Sequence, residues 1–113
     1  MLQEKGQLLR IYISENDKHH GKPLYEWILR QAQQQGMAGA TILRALEGFG
    51  QSSHIHSAKI LRLSLDLPIV IEIVDTPEKI EQFLPTIDHA IIQGLATTEN
   101  LNIRFYRPIS PEK

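Results

Sequence analysis

The feature that most constrains the fold is an apolar run at residues 67–75, LPIVIEIVD. Its β-branched side chains lose rotamer freedom in a helix but pack well on a pleated sheet, so the run predicts a β-strand. Glu72 interrupts the run, and a carboxylate among apolar neighbours needs either a partner or an edge position. A structural ion pair with Arg10, Arg44 or Arg62 is the simplest explanation for it.

Three further segments have strand patterns. Apolar residues recur at every second position in residues 7–13, QLLRIYI, as expected for a strand with one buried face. Residues 40–49, ATILRALEGF, alternate less regularly, and residues 101–106, LNIRFY, are expected to form the last strand.

Two amphipathic helices separate these strands. The first is predicted to start at Pro23 and to stop at Gly36. The second follows residues 75–78, which resemble a capping box with Pro77 in the first turn, and Pro85 is expected to kink it. Its apolar stripe consists of Ile80, Phe83, Leu84, Ile87 and Ile91.

The element order is therefore βαββαβ. This order favours an α+β, ferredoxin-like fold in which a four-stranded antiparallel sheet carries both helices on one face. The other face would present Leu8, Tyr12, Leu46 and one alternating set of residues 69–74, which is too apolar to leave in water. We therefore expect one domain, residues 1–113 with a core at about 7–107, that packs against copies of itself.

Composition excludes several classes of function. The chain has 12 Lys and Arg against 13 Asp and Glu, a net charge of −1, which argues against a nucleic-acid binder. It has no cysteine, so disulfides, thiolate nucleophiles and cysteine metal sites are excluded. Since no apolar stretch is long enough to span a bilayer, a cytoplasmic protein without a membrane segment is expected.

The connection at residues 50–66 is 17 residues long, far longer than a hairpin loop. Long connections of this kind are usually functional or mobile, although residues 59–63 could instead extend the strands as a ribbon. Gly48, Phe49 and Gly50 precede it. The two glycines allow a close approach of the backbone to a phosphate or base, or they mark a simple bend.

Other polar residues give weaker indications. His54 and His56 would point to the same side of an extended backbone and could be two metal ligands, or solvated loop residues. A small enzyme using Glu47 or His54 has little support, because no set of nucleophile, base and orienting residue can be assembled. Five basic residues could converge on an anion only at a subunit boundary, or are solvated ends: Arg44, Lys59, Arg62, Arg104 and Arg107.

Several motifs together resemble the PII-like family long known as domain of unknown function 190. They are GKPLYE at 21–26, GMAGATILRALEGFG at 36–50, the segment from SSHIH to EIVD at 52–75, and IEQFLP at 80–85. The similarity extends over residues 7–107. It implies a trimer whose long connection corresponds to the PII T-loop and whose nucleotide sites lie in clefts between subunits.

The resemblance also assigns residues. Gly48, Phe49 and Gly50 match the start of the T-loop, where the PII backbone contacts nucleotide, and Arg104 and Arg107 lie near phosphate-binding arginines of PII proteins. The glycine- and lysine-rich phosphate turn before the last PII strand is missing, which disfavours a triphosphate and leaves an AMP- or ADP-type ligand.

The leading hypothesis is a homotrimeric PII-like regulatory protein, not an enzyme and without a required cofactor. It would bind an adenine nucleotide through the residues above together with Arg44, and would engage a target protein through residues 50–66. The alternative is a divalent-metal-binding trimer similar to CutA, with His54 and His56 as ligands.

Overall fold

A computed structural model describes residues 4–45, 47–48, 56–57 and 67–108. None of the helices in this described part is long and apolar enough to cross a membrane. The main elements are β1 (Lys5–Ser14), α1 (Leu24–Gln34), β2 (Thr41–Arg44), β3 (Pro68–Asp75), α2 (Pro77–Asp88) and β4 (Leu95–Asn102). Two short ladders accompany them, Lys18–His19 with Lys22–Pro23 and Glu47–Gly48 with His56–Ser57.

The four main strands form one sheet in the order β2-β3-β1-β4, and all neighbours are antiparallel. The α+β, ferredoxin-like prediction is therefore confirmed. Both helices pack on one face because β1 and β3 present a fully apolar set of side chains there. The core residues shared by sheet and helices are Leu9, Ile11, Ile13, Ile69, Ile71, Ile73, Leu24, Ile28, Ala32, Ile80, Phe83 and Ile87. Each large member contributes roughly 1.5–3 kcal/mol through its burial.

Helix α1 follows the sequence prediction closely. Pro23 is its N-cap, with φ −56°, and the helix ends in a turn at Gln35. Gly36 has φ +73°, the left-handed conformation that glycine adopts without strain after a helix. The Lys79 ammonium donates a hydrogen bond of 2.6 Å to the Gly36 carbonyl, which ties the end of α1 to the start of α2.

The capping of α2 differs from the prediction by one residue. The N-cap is Thr76, whose hydroxyl accepts a hydrogen bond from the Lys79 amide at 3.2 Å. The predicted capping box, which would begin at Asp75, was therefore wrong. The Asp75 side chain is instead buried and accepts two other backbone amides. The helix continues past Pro85 to Asp88, and the kink at Pro85 stays a prediction.

The last strand was predicted at the wrong place. β4 is Leu95–Asn102, and residues 103–108 form no strand. Because β4 lies at the sheet edge and is almost wholly exposed, its residues need not alternate between apolar and polar. Its backbone hydrogen bonds are made with β1. The residues that follow leave the sheet, where the Ile103 amide donates to the Glu4 carbonyl and the Tyr106 hydroxyl donates to the Ala38 carbonyl.

The second predicted strand, residues 40–49, is shorter than expected. β2 covers only Thr41–Arg44, and Glu47–Gly48 pairs separately with His56–Ser57. The backbone leaves the edge of β3 after Ala45, whose amide donates to the Pro68 carbonyl at 2.8 Å. The ribbon considered for residues 59–63 lies outside the described residues.

Gly94 lies at the end of the turn that leads into β4, and its replacement tests whether this turn requires glycine. Its φ is +148°, and a Cβ there would lie 2.6 Å from the Tyr12 carbonyl oxygen. We expect Gly94→Ala to lower the free energy of unfolding by about 1–3 kcal/mol in urea denaturation, since both conformation and space exclude a methyl group. Gly39→Ala is the matched control, because a Cβ at Gly39 meets nothing within 4 Å. Equal stability of the two variants would contradict this account of the turn.

Candidate functional site

The face of the sheet opposite the helices, here called the open face, carries a row of apolar side chains. The strand register places Leu43 opposite Val70, Val70 opposite Tyr12, and Tyr12 opposite Leu95. Directly opposed residues share a face, so these four form one continuous apolar row across all four strands. Three of them are well exposed: Leu43 at 47%, Leu95 at 56% and Tyr12 at 38%.

The middle of the open face is charged, so this face is less apolar than the sequence suggested. Arg10 bonds Glu72 at 3.0 Å and lies 3.8 Å from Glu99. The hydrogen bond to Glu72 raises the pKa of Arg10 further above its ordinary value. Arg10 was one of three partners considered for Glu72, and the register selects it because these residues face each other across β1 and β3.

The base of the long connection is held at both ends. The Arg44 guanidinium donates to the Glu15 carboxylate at 2.6 Å, and the Glu15 amide donates to the Leu67 carbonyl at 2.8 Å. The ladder of Glu47–Gly48 with His56–Ser57 continues outward from this point. The chain therefore enters and leaves the connection next to the end of β1.

The predicted site arginines that the structure describes, Arg44 on one side and Arg104 and Arg107 on the other, do not meet within one chain. Arg44 is opposite Ile69, which pairs with Ile13, whereas β4 ends at Asn102 opposite Lys5. These two levels are eight residues apart along β1, roughly 26 Å at 3.3 Å per residue. Arg104 and Arg107 follow β4, so they begin from the other edge and the other end of the sheet.

Arg104 and Arg107 are exposed, and neither has an ion-pair partner among the described residues. The Arg107 guanidinium lies 4.2 Å from the centre of the Phe105 ring, and the Tyr106 hydroxyl anchors the segment to Ala38 at 3.0 Å. The Ile103 amide and the Tyr106 hydroxyl therefore hold a segment that carries two guanidinium groups without an ion-pair partner among the described residues.

The remaining predicted site residues are only partly described. Phe49, Gly50 and His54 lie outside the described residues, and of Gly48 and His56 only the backbone pairing can be stated. Within the described part of the chain, no group of three or more His, Asp or Glu side chains could hold a metal ion. The metal reading of His54 and His56 therefore stays a prediction.

Sequence reasoning missed two features of the surface. Residue spacing did not place Leu43 and Leu95 in one row, because the row exists only through the register of three strand pairs. It also did not bring His89 close to His19, whereas the centres of the two rings are 6.1 Å apart. No local signal could have found this contact, since 70 residues separate the two histidines.

Comparison with known proteins gives consistent matches over most of the chain. The family model described as DUF190, Uncharacterized ACR, matches residues 6–103. A protein of Aquifex aeolicus (strain VF5), described as a UPF0166 protein, is 40% identical over 99 residues, which are 88% of this chain and 93% of the relative.

Among solved structures, CPII of Thiomonas intermedia K12, bound to ADP and bicarbonate, matches with a TM-score of 0.65 and 18% identity over 88% of each chain. Another structure of CPII holds ADP, AMP and bicarbonate. The divalent ion tolerance protein CutA1 of Ehrlichia chaffeensis matches with a TM-score of 0.57 and 10% identity, over 90% of this chain and 84% of CutA1. At these identities, the structural matches show a common fold.

Proposed function

Because the chain belongs to the DUF190 family and has the fold of PII-like proteins, we propose that it is a homotrimeric regulatory protein that binds an adenine nucleotide of AMP or ADP type. The nucleotide would lie in clefts between subunits. The observation that carries this proposal is the separation of Arg44 and Gly48 from Arg104 and Arg107 in one chain, because only a second copy could complete a pocket from both groups.

The open face supports the assembly. A row of four apolar residues crosses the sheet, and the large exposed members would be withdrawn from water if copies packed through this face. The Arg10–Glu72 pair would give the interface polar contacts that depend on orientation. The row is defined by Leu43, Val70, Tyr12 and Leu95.

Arg104 and Arg107 suit a ligand with one or two phosphate groups. The guanidinium groups of Arg104 and Arg107 are free for an anion, and arginine forms bidentate bonds with phosphate. The turn before β4, residues 89–94, contains one glycine and no lysine or arginine, so it offers no second phosphate cradle. A nucleotide with one or two phosphates fits this donor set better than a triphosphate, and CPII holds ADP and AMP.

Signalling would proceed through the long connection. Ligand contacts at Gly48, Phe49 and Gly50 would bias the conformations of residues 50–66, and a target protein would recognise one of them. The protein would act by binding alone, without catalysis and without a cofactor beyond the nucleotide effector.

Isothermal titration calorimetry with AMP, ADP, ATP and cyclic dinucleotides tests the proposal. We expect saturable binding of AMP or ADP that weakens by roughly 10-fold or more in Arg104→Ala and Arg107→Ala, because each removes charge-assisted bonds worth about 1.5–3 kcal/mol. Arg30→Ala is the matched control, since Arg30 is exposed on α1 and should leave binding unchanged.

Absence of heat with every nucleotide at millimolar concentration would overturn the nucleotide assignment. Copper and zinc titrated under the same conditions address the CutA-like alternative, which the CutA1 match supports at the level of fold. Metal binding that disappears in the His54→Ala/His56→Ala variant would favour that alternative, and metal affinity unchanged by it would remove those ligands.

A further inference from the structure

Three histidines from two distant parts of the chain lie near the only tryptophan. His19 lies in the hairpin formed by residues 18–23, and its ring centre is 4.1 Å from that of His20 and 4.2 Å from that of Trp27 on α1. His89, directly after α2, lies 6.1 Å from His19 and 6.3 Å from Trp27. The four rings therefore join the hairpin to both helices, and we call them the histidine cluster.

The surroundings of this cluster offer little compensation for positive charge. Lys22 is directly opposite His19 in the hairpin ladder, and Lys18 precedes it. Within the described residues, no carboxylate lies within 4.0 Å of a histidine nitrogen. The adjoining helices carry the charged residues Glu26, Arg30 and Asp88, and none of these forms an ion pair with the rings. The Nδ1 atom of His89 lies near a backbone carbonyl, that of Pro85, at 3.4 Å.

The electrostatics favour a neutral His19 ring in the folded protein. Desolvation, followed by the charges of His20 and His89, lowers the pKa of His19 below its ordinary value of 6.5. Between that lowered pKa and 6.5 the unfolded chain binds more protons than the folded one, so stability falls as the pH drops through this window. The contribution of neutral His19 to stability is fully present above about pH 6.5. Below the pKa of His19 in the folded protein, the loss of stability stops growing.

The hairpin is also close to the base of the long connection. The Leu24 amide donates to the Asp17 carbonyl at 2.8 Å, and the Ser14 amide donates to the Asp17 carboxylate at 2.9 Å. Glu15, the ion-pair partner of Arg44, lies between Ser14 and Asp17 in the sequence. A displacement of the hairpin would therefore act first on the turn that holds Arg44.

We propose that the histidine cluster is a proton-sensitive latch for the 18–23 hairpin. Neutral His19 packs on His20 and Trp27, and His89 lies beside both His19 and Trp27, so that these rings fasten the hairpin to α1 and α2. When more than one ring takes up a proton, like charges 4–6 Å apart repel, and the hairpin separates from Trp27. This inference goes beyond nucleotide binding and does not rest on it.

Fluorescence of the full chain tests the latch, since Trp27 is its only tryptophan. We expect emission to be constant above pH 7 and to change as the pH falls, with a midpoint below 6.5, because an imidazolium quenches a neighbouring indole and release exposes it to water. His19→Gln should abolish this transition while the protein stays folded at pH 8. The His54→Gln/His56→Gln variant, which changes the two histidines outside the cluster, should keep it.

Emission that is independent of pH between 8 and 5, or a transition that persists in His19→Gln, would overturn the proposal. NMR titration of the histidine ring protons in the unmodified protein provides a second measurement that needs no variant. A pKa of His19 below 6.5 is the expected result. Titration of His19 at its ordinary value would refute the latch even if a variant failed to fold.

Discussion

Asp75→Ala should lower the free energy of unfolding by about 2–5 kcal/mol. Asp75 is only 3% exposed. Its two carboxylate oxygens accept hydrogen bonds from the amide of Ala38 at 2.8 Å and from that of Thr76 at 2.7 Å. An alanine would leave both amides without their acceptor in a poorly solvated position, and each such loss costs about 1–3 kcal/mol. Urea denaturation followed by circular dichroism measures the effect.

Two further variants separate this explanation from a general loss of charge. Asp88→Ala removes an exposed carboxylate and should change stability by no more than about 0.5 kcal/mol. Asp75→Asn keeps one acceptor oxygen but turns an amide donor toward a backbone donor, so its stability should lie between those of Asp75→Ala and the unmodified protein. A loss in Asp75→Ala no larger than that in Asp88→Ala would contradict the role assigned to the carboxylate.

The parts of the fold that could be predicted are those in which burial creates a period. Residues 7–13 alternate and the apolar stripe of α2 repeats because one side of each element must face the core. β4 has no such requirement, since it lies at the edge and its residues are exposed, so the prediction fell on residues 101–106, which overlap only the last two residues of β4. The pairing with β1 decided the position of β4, and a single sequence does not contain that information in local form.

The same limit applies to the candidate site. The sequence indicated that Glu72 needs a basic partner, but only the register of β1 and β3 selected Arg10 among three candidates. Likewise, the local pattern brought His19 and His20 together, whereas the return of the chain after α2 brought His89 to them. Residue types indicated the chemistry, and contacts between distant segments determined which residues could carry it.

Leu43→Lys is expected to convert the proposed trimer into folded single chains. Leu43 is at the end of the apolar row and 47% exposed in the isolated chain, so the substitution should have little effect on the subunit itself. In an assembly that packs through the open face, each of three subunits would lose the burial of a leucine, about 1.5–3 kcal/mol, and would bury an unpaired ammonium group instead. Losses of this size, repeated three times, lower the association constant by many orders of magnitude.

Light scattering coupled to size-exclusion chromatography measures the outcome. The unmodified protein should have three times the 12.9 kDa mass of one chain, and Leu43→Lys should have the mass of one chain with an unchanged circular dichroism spectrum. Ile92→Lys is the matched control, because Ile92 is apolar and 92% exposed but lies in the turn between α2 and β4, outside the four strands that carry the apolar row, and it should remain trimeric. A trimer that tolerates Leu43→Lys as well as Ile92→Lys would show that the apolar row is not the contact between subunits. A single chain in the unmodified protein would leave Arg44 and Arg107 apart, and no shared pocket could form.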